Sequence, residues 1–202
     1  MGKRLSIIVL LTSLVLSFAT AQEAPAVPPI YSYASMSSGY GALLSDQPYV
    51  QAIPLGVQTG VLSNSDDGRL ALGFGTRMDM EFGITDGSDF SLDMLMGMEC
   101  MYRFSRNVAL DFMLGLAVGI VDTASTLDDV VTMGPGAAAL VRFTPSHMNL
   151  VSLDIGMAAY AHIGIDADYI GASLVPFIGI TFDFTGFPYL ALPHYAAHIL
   201  VY

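Results

Sequence analysis

The strongest constraint on the fold is an alternation of apolar with polar or small residues, repeated in three consecutive segments. These segments are 69–82, 91–104 and 108–121. In the second, every even position from Leu92 to Phe104 is apolar, while the odd positions include Asp93, Gly97, Glu99 and Arg103. Successive side chains of a strand point to opposite faces, so the pattern predicts three β-strands.

The three segments are much longer than ordinary strands. Strands of soluble proteins are usually about 5–6 residues long, whereas a tilted membrane-spanning strand needs about 9–11. A soluble half-buried sheet turns its apolar face to a core, and a transmembrane barrel turns it to lipid. Alternation alone does not separate these cases. The length of the strands and an export signal at the N-terminus are needed to distinguish a soluble sheet from a transmembrane barrel.

Composition favours the membrane. The chain is 53% hydrophobic and only 12% charged, with a mean hydropathy of +0.59. About 25% charged residues is typical of soluble domains. No run of about 18 apolar residues follows the N-terminus, so a helical membrane protein is not predicted.

The N-terminus has the pattern of a signal peptide. Lys3 and Arg4 precede an apolar stretch, and a small-x-small site ends at Ala21. We therefore expect an exported protein cleaved after Ala21, with 1–21 removed and 22–29 forming a proline- and alanine-rich linker.

The charge balance bounds the partners. Lys and Arg number 7 against 18 Asp and Glu, for a net charge of −11. This acidity excludes nucleic acid as a partner. The lone Cys100 cannot form an internal disulfide, and its phase predicts a small lipid-facing side chain.

Five further segments complete an eight-strand prediction from about residue 31 to residue 184. The segment 30–44 is a weak candidate, and Pro54 weakens the next one because proline cannot complete a strand ladder. We predict an all-β fold, an antiparallel up-and-down transmembrane β-barrel of eight strands over 30–184. The added segments are 30–44, 49–62, 130–143, 150–163 and 172–184.

The predicted connections differ between the two ends of this barrel. Those on one side are, apart from the first, longer and more acidic, as expected for external loops above short periplasmic turns. The longer set is 45–48, 83–90, 122–129 and 164–171, and the shorter set is 63–68, 105–107 and 144–149.

The segment 175–184, VPFIGITFDF, resembles the closing strand of small bacterial outer-membrane barrels. In size and layout the chain is similar to the OmpA/OmpX/OmpW-like eight-stranded family. The resemblance implies an outer-membrane location, contact with outer-membrane lipid, and recognition of the closing strand by the barrel-assembly machinery. The apolar tail 185–202 departs from that family. Either 194–202 is the true last strand and 30–44 lies outside the barrel, or the tail covers the periplasmic mouth or fills the lumen.

Charged residues on the inward face are the candidate functional group. They would share a narrow lumen, either as an ion-pair network that fills it or as a polar path for small solutes. Glycine and alanine at many lumenal positions leave space, and the excess of acids predicts a preference for cations. The predicted lumen-facing charges are Arg69, Arg77, Asp79, Glu81, Asp93, Glu99, Arg103, Asp111, Arg142, Asp154 and Asp183.

Aromatic residues near the predicted strand ends suggest girdles at the two membrane interfaces. The predicted girdle residues are Phe82, Tyr102, Phe104, Phe143, Phe182 and Phe184.

No sequence motif indicates catalysis, so we expect no enzyme, no cofactor and no metal site. The pair Asp79 and Glu81 is better explained by ion pairing than by acid–base chemistry. His194 and His198 are four residues apart but lack the glutamate of a zinc-protease helix. The sequence therefore predicts an outer-membrane barrel that acts as a narrow porin-like conduit for small solutes. The alternatives are a structural or surface-exposed barrel of adhesin or antigen type with a closed lumen, and a soluble periplasmic barrel that binds an apolar ligand.

Overall fold

A computed structural model of the chain describes residues 30–45, 50–84, 90–122, 129–145, 150–165 and 168–184. The predicted signal peptide, linker and tail lie outside these residues. In the described part no helix is long and apolar enough to cross a membrane. The strands are β1 (Ile30–Gly39), β2 (Gly41–Ser45), β3 (Val50–Asn64), β4 (Leu70–Gly83), β5 (Phe90–Arg103), β6 (Val108–Asp122), β7 (Val130–Phe143), β8 (Val151–Gly164) and β9 (Ile170–Asp183).

The first two segments are one strand interrupted only at Tyr40. Both pair with β3 on one side and with β9 on the other. The Tyr40 amide donates to the carbonyl of Pro176 at 3.1 Å, so the interruption does not open the seam. Counted this way the sheet has the predicted eight strands, and the weak candidate at 30–44 is confirmed as the first.

The sheet closes on itself. Each strand pairs antiparallel with its neighbour in sequence, and β9 pairs with β1 from Tyr33 opposite Asp183 to Gly39 opposite Phe177. This confirms the up-and-down antiparallel barrel. The alternative that used 194–202 as the closing strand and left 30–44 outside is wrong, because β9 already meets β1.

The two faces of the wall have opposite chemistry. Outward side chains are apolar and open: Leu72 is 50% exposed and Leu114 is 55% exposed. Inward side chains such as Arg77, Glu99 and Asp111 are each 1% exposed. A soluble barrel would bury its apolar side chains and expose its charges. This barrel does the opposite, with apolar side chains on the outer surface and charges inside.

The barrel has two distinct ends. The end where 46–49, 84–89, 123–129 and 165–169 connect the strands is called the loop end. The opposite end, which carries the start of β1, the end of β9 and the remaining connections, is called the terminus end.

A tight turn at the terminus end joins β3 to β4. Gly68 has a φ of 67°, which favours glycine, and its amide donates to the carbonyl of Ser65 at 2.8 Å. The Ser65 hydroxyl and the Arg69 amide donate to the Asp67 carboxylate, and these hydrogen bonds lower its pKa. The turn uses residues up to Arg69, so β4 begins at Leu70 and not at the predicted residue 69.

Proline does not interrupt β3. Pro54 faces the lumen opposite Glu81 in the β3–β4 ladder, within an unbroken register. Its carbonyl accepts a hydrogen bond from the Ser38 hydroxyl at 3.0 Å. The expected weakening of this strand by Pro54 therefore does not disturb the pairing of β3 with β4.

Candidate functional site: the barrel lumen

Most of the predicted lumenal charges are buried inside the barrel. Each of the buried members is at most 2% exposed. They lie on strands β4 to β8. In each strand they occupy the alternate positions whose side chains point into the barrel. The buried charges are Arg77, Asp79, Glu81, Asp93, Glu99, Asp111, Arg142 and Asp154.

Three predicted lumenal charges are not among the buried ones. Arg69 is exposed in the β3–β4 turn, so its prediction as a lumenal residue is wrong. Arg103 is half-buried at the terminus end, where it donates to the side chain of Asn64 at 2.7 Å and to the carbonyl of Gly68 at 3.1 Å. Asp183 is half-buried at the last position of β9. Arg103 and Asp183 keep the inward parity of their strands at the mouth of the terminus end, and the Arg103 guanidinium carbon lies 5.1 Å from the centroid of the lumenal Tyr31 ring.

The buried charges nearer the loop end are Arg77, Asp79, Glu81 and Asp93, here called the loop-end cluster. Arg77 grips Asp79 with two parallel hydrogen bonds of 2.7 Å each. The Tyr160 hydroxyl also donates to Asp79. The guanidinium lies over the ring of Phe177, 3.8 Å from its centroid. Bidentate, stacked and fully buried, this pair is held in one geometry.

The buried charges nearer the termini are Glu99, Asp111, Arg142 and Asp154, here called the terminus-end cluster. Arg142 donates to both oxygens of Asp154, at 3.0 and 3.2 Å, and lies 3.5 Å from Asp111. It also donates to the Tyr31 hydroxyl at 3.1 Å. One cation therefore serves two carboxylates here.

Tyrosine and threonine hydroxyls complete the terminus-end cluster. Tyr33 donates to Glu99, and Thr181 donates to Asp154. The ring of Tyr33 lies 4.4 Å from the Arg142 guanidinium carbon. Each acid except Asp111 thus receives a side-chain hydrogen bond.

Gln58 on β3 links the two clusters. Its amide nitrogen donates to the Tyr33 hydroxyl at 2.6 Å, and its amide oxygen accepts from Arg77 at 3.3 Å. On the β5–β9 wall an apolar group occupies the levels between the clusters. Its members are Leu95, Met113, Ala117, Ala138, Leu140, Ala158, Tyr160, Val175 and Phe177.

The small residues of the lumen do not leave it open. A side chain at Gly56 would come within 2.8 Å of the Arg77 guanidinium. A Cβ at Gly60 would lie 2.5 Å from the nearest atom of the Tyr33 ring. The space expected from these glycines is therefore filled by long side chains from neighbouring strands, as an eight-stranded barrel allows.

Buried acids outnumber buried guanidinium groups in both clusters. Several carboxylate oxygens have no hydrogen-bond partner among the described residues. Burying a carboxylate without hydrogen-bond partners costs free energy, so these groups are the least well compensated part of the lumen. They are both oxygens of Glu81, Asp93 and Asp111, together with one oxygen of Glu99.

The predicted girdle residues group mainly at one end. Tyr102 and Phe104 contact edge to face at the terminus end, with ring centroids 5.0 Å apart. Phe143, Phe182 and Phe184 lie at the same end by their strand positions. Phe82 lies at the loop end beside Phe90, with centroids 5.6 Å apart.

Several lumenal residues were not among the predicted site residues. Tyr31, Tyr33, Gln58, Ser173 and Phe177 share the inward parity of the charges, and this parity is the signal that could have found them. Across the described strands and turns, no group of three His, Cys, Asp or Glu is arranged to hold a metal ion. His194 and His198 lie outside the described residues.

Neither a protein-family model nor a curated protein matches the chain. Solved structures do. Neisserial surface protein A superposes with a TM-score of 0.53 at 16% identity, covering 77% of this chain and 97% of that one. The attachment invasion locus protein Ail of Yersinia pestis gives 0.56 at 10% identity, covering 78% and 100%.

The outer-membrane enzyme PagL gives a TM-score of 0.52 at 12% identity, covering 73% of this chain and 98% of that one. At such identities the likeness concerns the fold alone. The fold is that of small eight-stranded outer-membrane β-barrels.

Proposed function

We propose that this chain is an exported barrel of the outer membrane of a two-membraned bacterium, with a closed lumen and a structural or surface-exposed role. Burial of the lumenal side chains carries the proposal. A water-filled passage would expose its lining, whereas Arg77, Asp93, Glu99 and Arg142 are 0–2% exposed. Of the predicted alternatives, the closed barrel is the one that this packing supports best.

The apolar outer wall supports the membrane assignment. Met96, Leu153 and Ile178 are 43%, 50% and 64% exposed, and they belong to different strands. A continuous apolar belt of this kind suits lipid and would aggregate in water. The soluble ligand-binding alternative would need the opposite orientation.

We further propose that the barrel-assembly machinery reads the closing strand β9, near Phe182 and Phe184.

Planar-bilayer recording tests the closed lumen. We expect the folded barrel to give no conductance steps. The double variant Leu95→Ala/Phe177→Ala truncates two members of the apolar group between the clusters and should introduce a leak. The outward-facing Ile178→Ala is the matched control and should stay silent. Regular steps from the unmodified barrel would overturn the closed-lumen proposal.

A narrow conduit is the second candidate, and the excess of buried acids favours it. Two guanidinium groups face six buried carboxyls, so a passage that opens transiently would select cations. Conductance with cation preference would support the conduit, and silence would support the closed barrel.

Localisation is tested separately: a membrane-spanning barrel stays with the outer membrane after carbonate extraction and migrates differently on gels before and after boiling.

A further inference from the structure

A groove interrupts the apolar outer wall of the barrel on strands β7 to β9. Elsewhere on this wall the outward side chains are large and exposed, as at Phe74 on β4, Met98 on β5 and Ile180 on β9. The groove has a volume of about 390 Å³, which is within the range of about 300–1,000 Å³ typical of small-molecule sites. It lies where the outward residues are small, at Pro135, Ala137, Ala159, Ala161 and Ala172.

The strand register sets two alanines between two leucines, which form the floor and the walls of the groove. Neighbouring strands lie about 4.7–4.9 Å apart, so two leucines separated by three strand spacings are roughly 14 Å from each other. This row of residues runs across the sheet from β6 to β9 and crosses β6 and β7 near their middle. In strand order its members are Leu114, Ala137, Ala159 and Leu174.

The groove continues from this row toward the loop end. There Ala161 on β8 pairs with Ala172 on β9, and Ala172 pairs in turn with Leu44 on β2. Leu44 is exposed and is the second-last residue of its strand. The groove therefore runs along the barrel, from the middle of the apolar belt to its loop-end border.

The described residues that line the groove offer an occupant no hydrogen-bonding side chain. Tyr160 and Ser173 are the polar ones, but their hydroxyls point into the lumen, toward Asp79 and His162. The strands of this wall are paired on both sides, so they present no free edge. An extended peptide in the groove would bury unpaired amides and carbonyls, whereas a hydrocarbon chain has no polar group to satisfy.

We propose that the groove holds one acyl chain of a membrane lipid from the leaflet that surrounds the loop end. The proposal rests on the proposed membrane location, because the groove is continuous with the apolar belt that faces lipid. An acyl chain there contacts the floor and both leucine walls, and leaving the groove empty would forfeit these dispersion contacts. A second barrel fits less well, because two convex walls meet along their most prominent side chains and leave the floor uncovered.

Photo-labelling from the bilayer tests the site. The full-length mature barrel is placed in palmitoyl-oleoyl-phosphatidylcholine vesicles that contain a minor fraction of the same lipid with a diazirine at the end of one acyl chain. Adducts are mapped by peptide mass spectrometry. We expect roughly five-fold more adduct on the groove residues of β7 to β9 than on the outward residues of β3 to β5, because a chain in the groove is held on three sides.

Filling the floor of the groove gives the matched comparison. Ala159→Leu puts a large side chain between Ala137 and Leu174, and it should lower labelling of the groove to the level of the rest of the wall. Ala139→Leu is the control, because Ala139 is an exposed outward residue of β7 that lies outside the groove lining, and it should leave labelling unchanged. In barrels whose gel mobility shows them folded, undiminished labelling of Ala159→Leu overturns the proposal.

The depth of the diazirine tests which leaflet supplies the chain. For a lipid around the loop end, a diazirine at the chain end should label near Ala137 and Ala159. One placed close to the glycerol should label near Ala172 and Leu44. Labelling near Ala172 by the chain-end diazirine alone would place the lipid in the opposite leaflet and overturn the assignment.

The remaining outcomes separate this proposal from the membrane location on which it rests. Even labelling around the whole barrel would overturn the groove site and leave the membrane location standing. The absence of adducts on every strand would overturn both. A second copy in the groove predicts disulfide-linked dimers of Ala159→Cys in a Cys100→Ser background, together with loss of lipid adducts on β8, and that result would overturn the acyl-chain proposal.

Discussion

The two buried clusters have the same ingredients and use them differently. Each contains one arginine and three acids. At the terminus end Arg142 is shared between Asp154 and Asp111, and Tyr33 donates to Glu99. At the loop end Arg77 donates hydrogen bonds to a single carboxylate, that of Asp79.

The loop-end cluster therefore keeps two acids without a cation. Glu81 lies beside the hydroxyls of Ser91 and Ser173, and Asp93 lies beside Ser91 and His162, in place of a guanidinium. The comparison teaches that the terminus-end cluster shares its cation among its acids, while the loop-end cluster leaves two buried acids only partly compensated.

The largest expected effect comes from removing the shared arginine. Arg142→Met leaves Asp154 and Asp111 buried without a cation and should destabilise the barrel by about 3–5 kcal/mol. Urea titration followed by gel mobility measures the loss. Adding Asp154→Asn to this variant should recover part of the stability, and no recovery would contradict the account of Arg142 as a shared counter-ion.

Neutralising one acid in each cluster should give opposite results. Glu81→Gln removes an unpaired buried charge and should leave the free energy of unfolding unchanged or raise it. Glu99→Gln disturbs the hydrogen bond from Tyr33 and should lower stability by about 1–2 kcal/mol. Equal effects in the same titration would remove the distinction between the clusters.

The smallest effect should come from the link between them. Gln58→Leu leaves the Tyr33 hydroxyl without a donor and Arg77 with one acceptor fewer, at a cost of about 1 kcal/mol. Outward-facing Val57→Ala on the same strand is the control. A double-mutant cycle with Arg142→Met should show coupling if Gln58 joins the two clusters.

The alternation of residues was enough to predict the strands and the inward set of charges. It worked because a barrel wall has two faces with different solvents, so parity alone sorts the side chains. It failed at Arg69, where the turn closed by Ser65 and Gly68 decides where β4 starts, and turn geometry does not follow from parity.

Contacts across the lumen were beyond the reach of the sequence. Parity places Arg77, Gln58 and Tyr33 inside, yet nothing in the spacing says that Gln58 touches both others. The same holds for His162, whose Nε2 lies 2.8 Å from the Ser173 hydroxyl oxygen. Such contacts depend on register and strand tilt, which set the height of each inward residue. For the same reason, glycine positions predicted as open space proved to be where long side chains fit.

The seam between β1 and β9 joins the first described strand to the last. Until β9 is available, β1 has a bare edge of amides and carbonyls, which hydrocarbon does not tolerate. Synthesis and insertion are therefore coupled to completeness: a chain that stops before residue 170 has no way to seal. A copy that lacks β9 would keep this unpaired edge, so closure of the barrel is the last step of folding that the sequence permits.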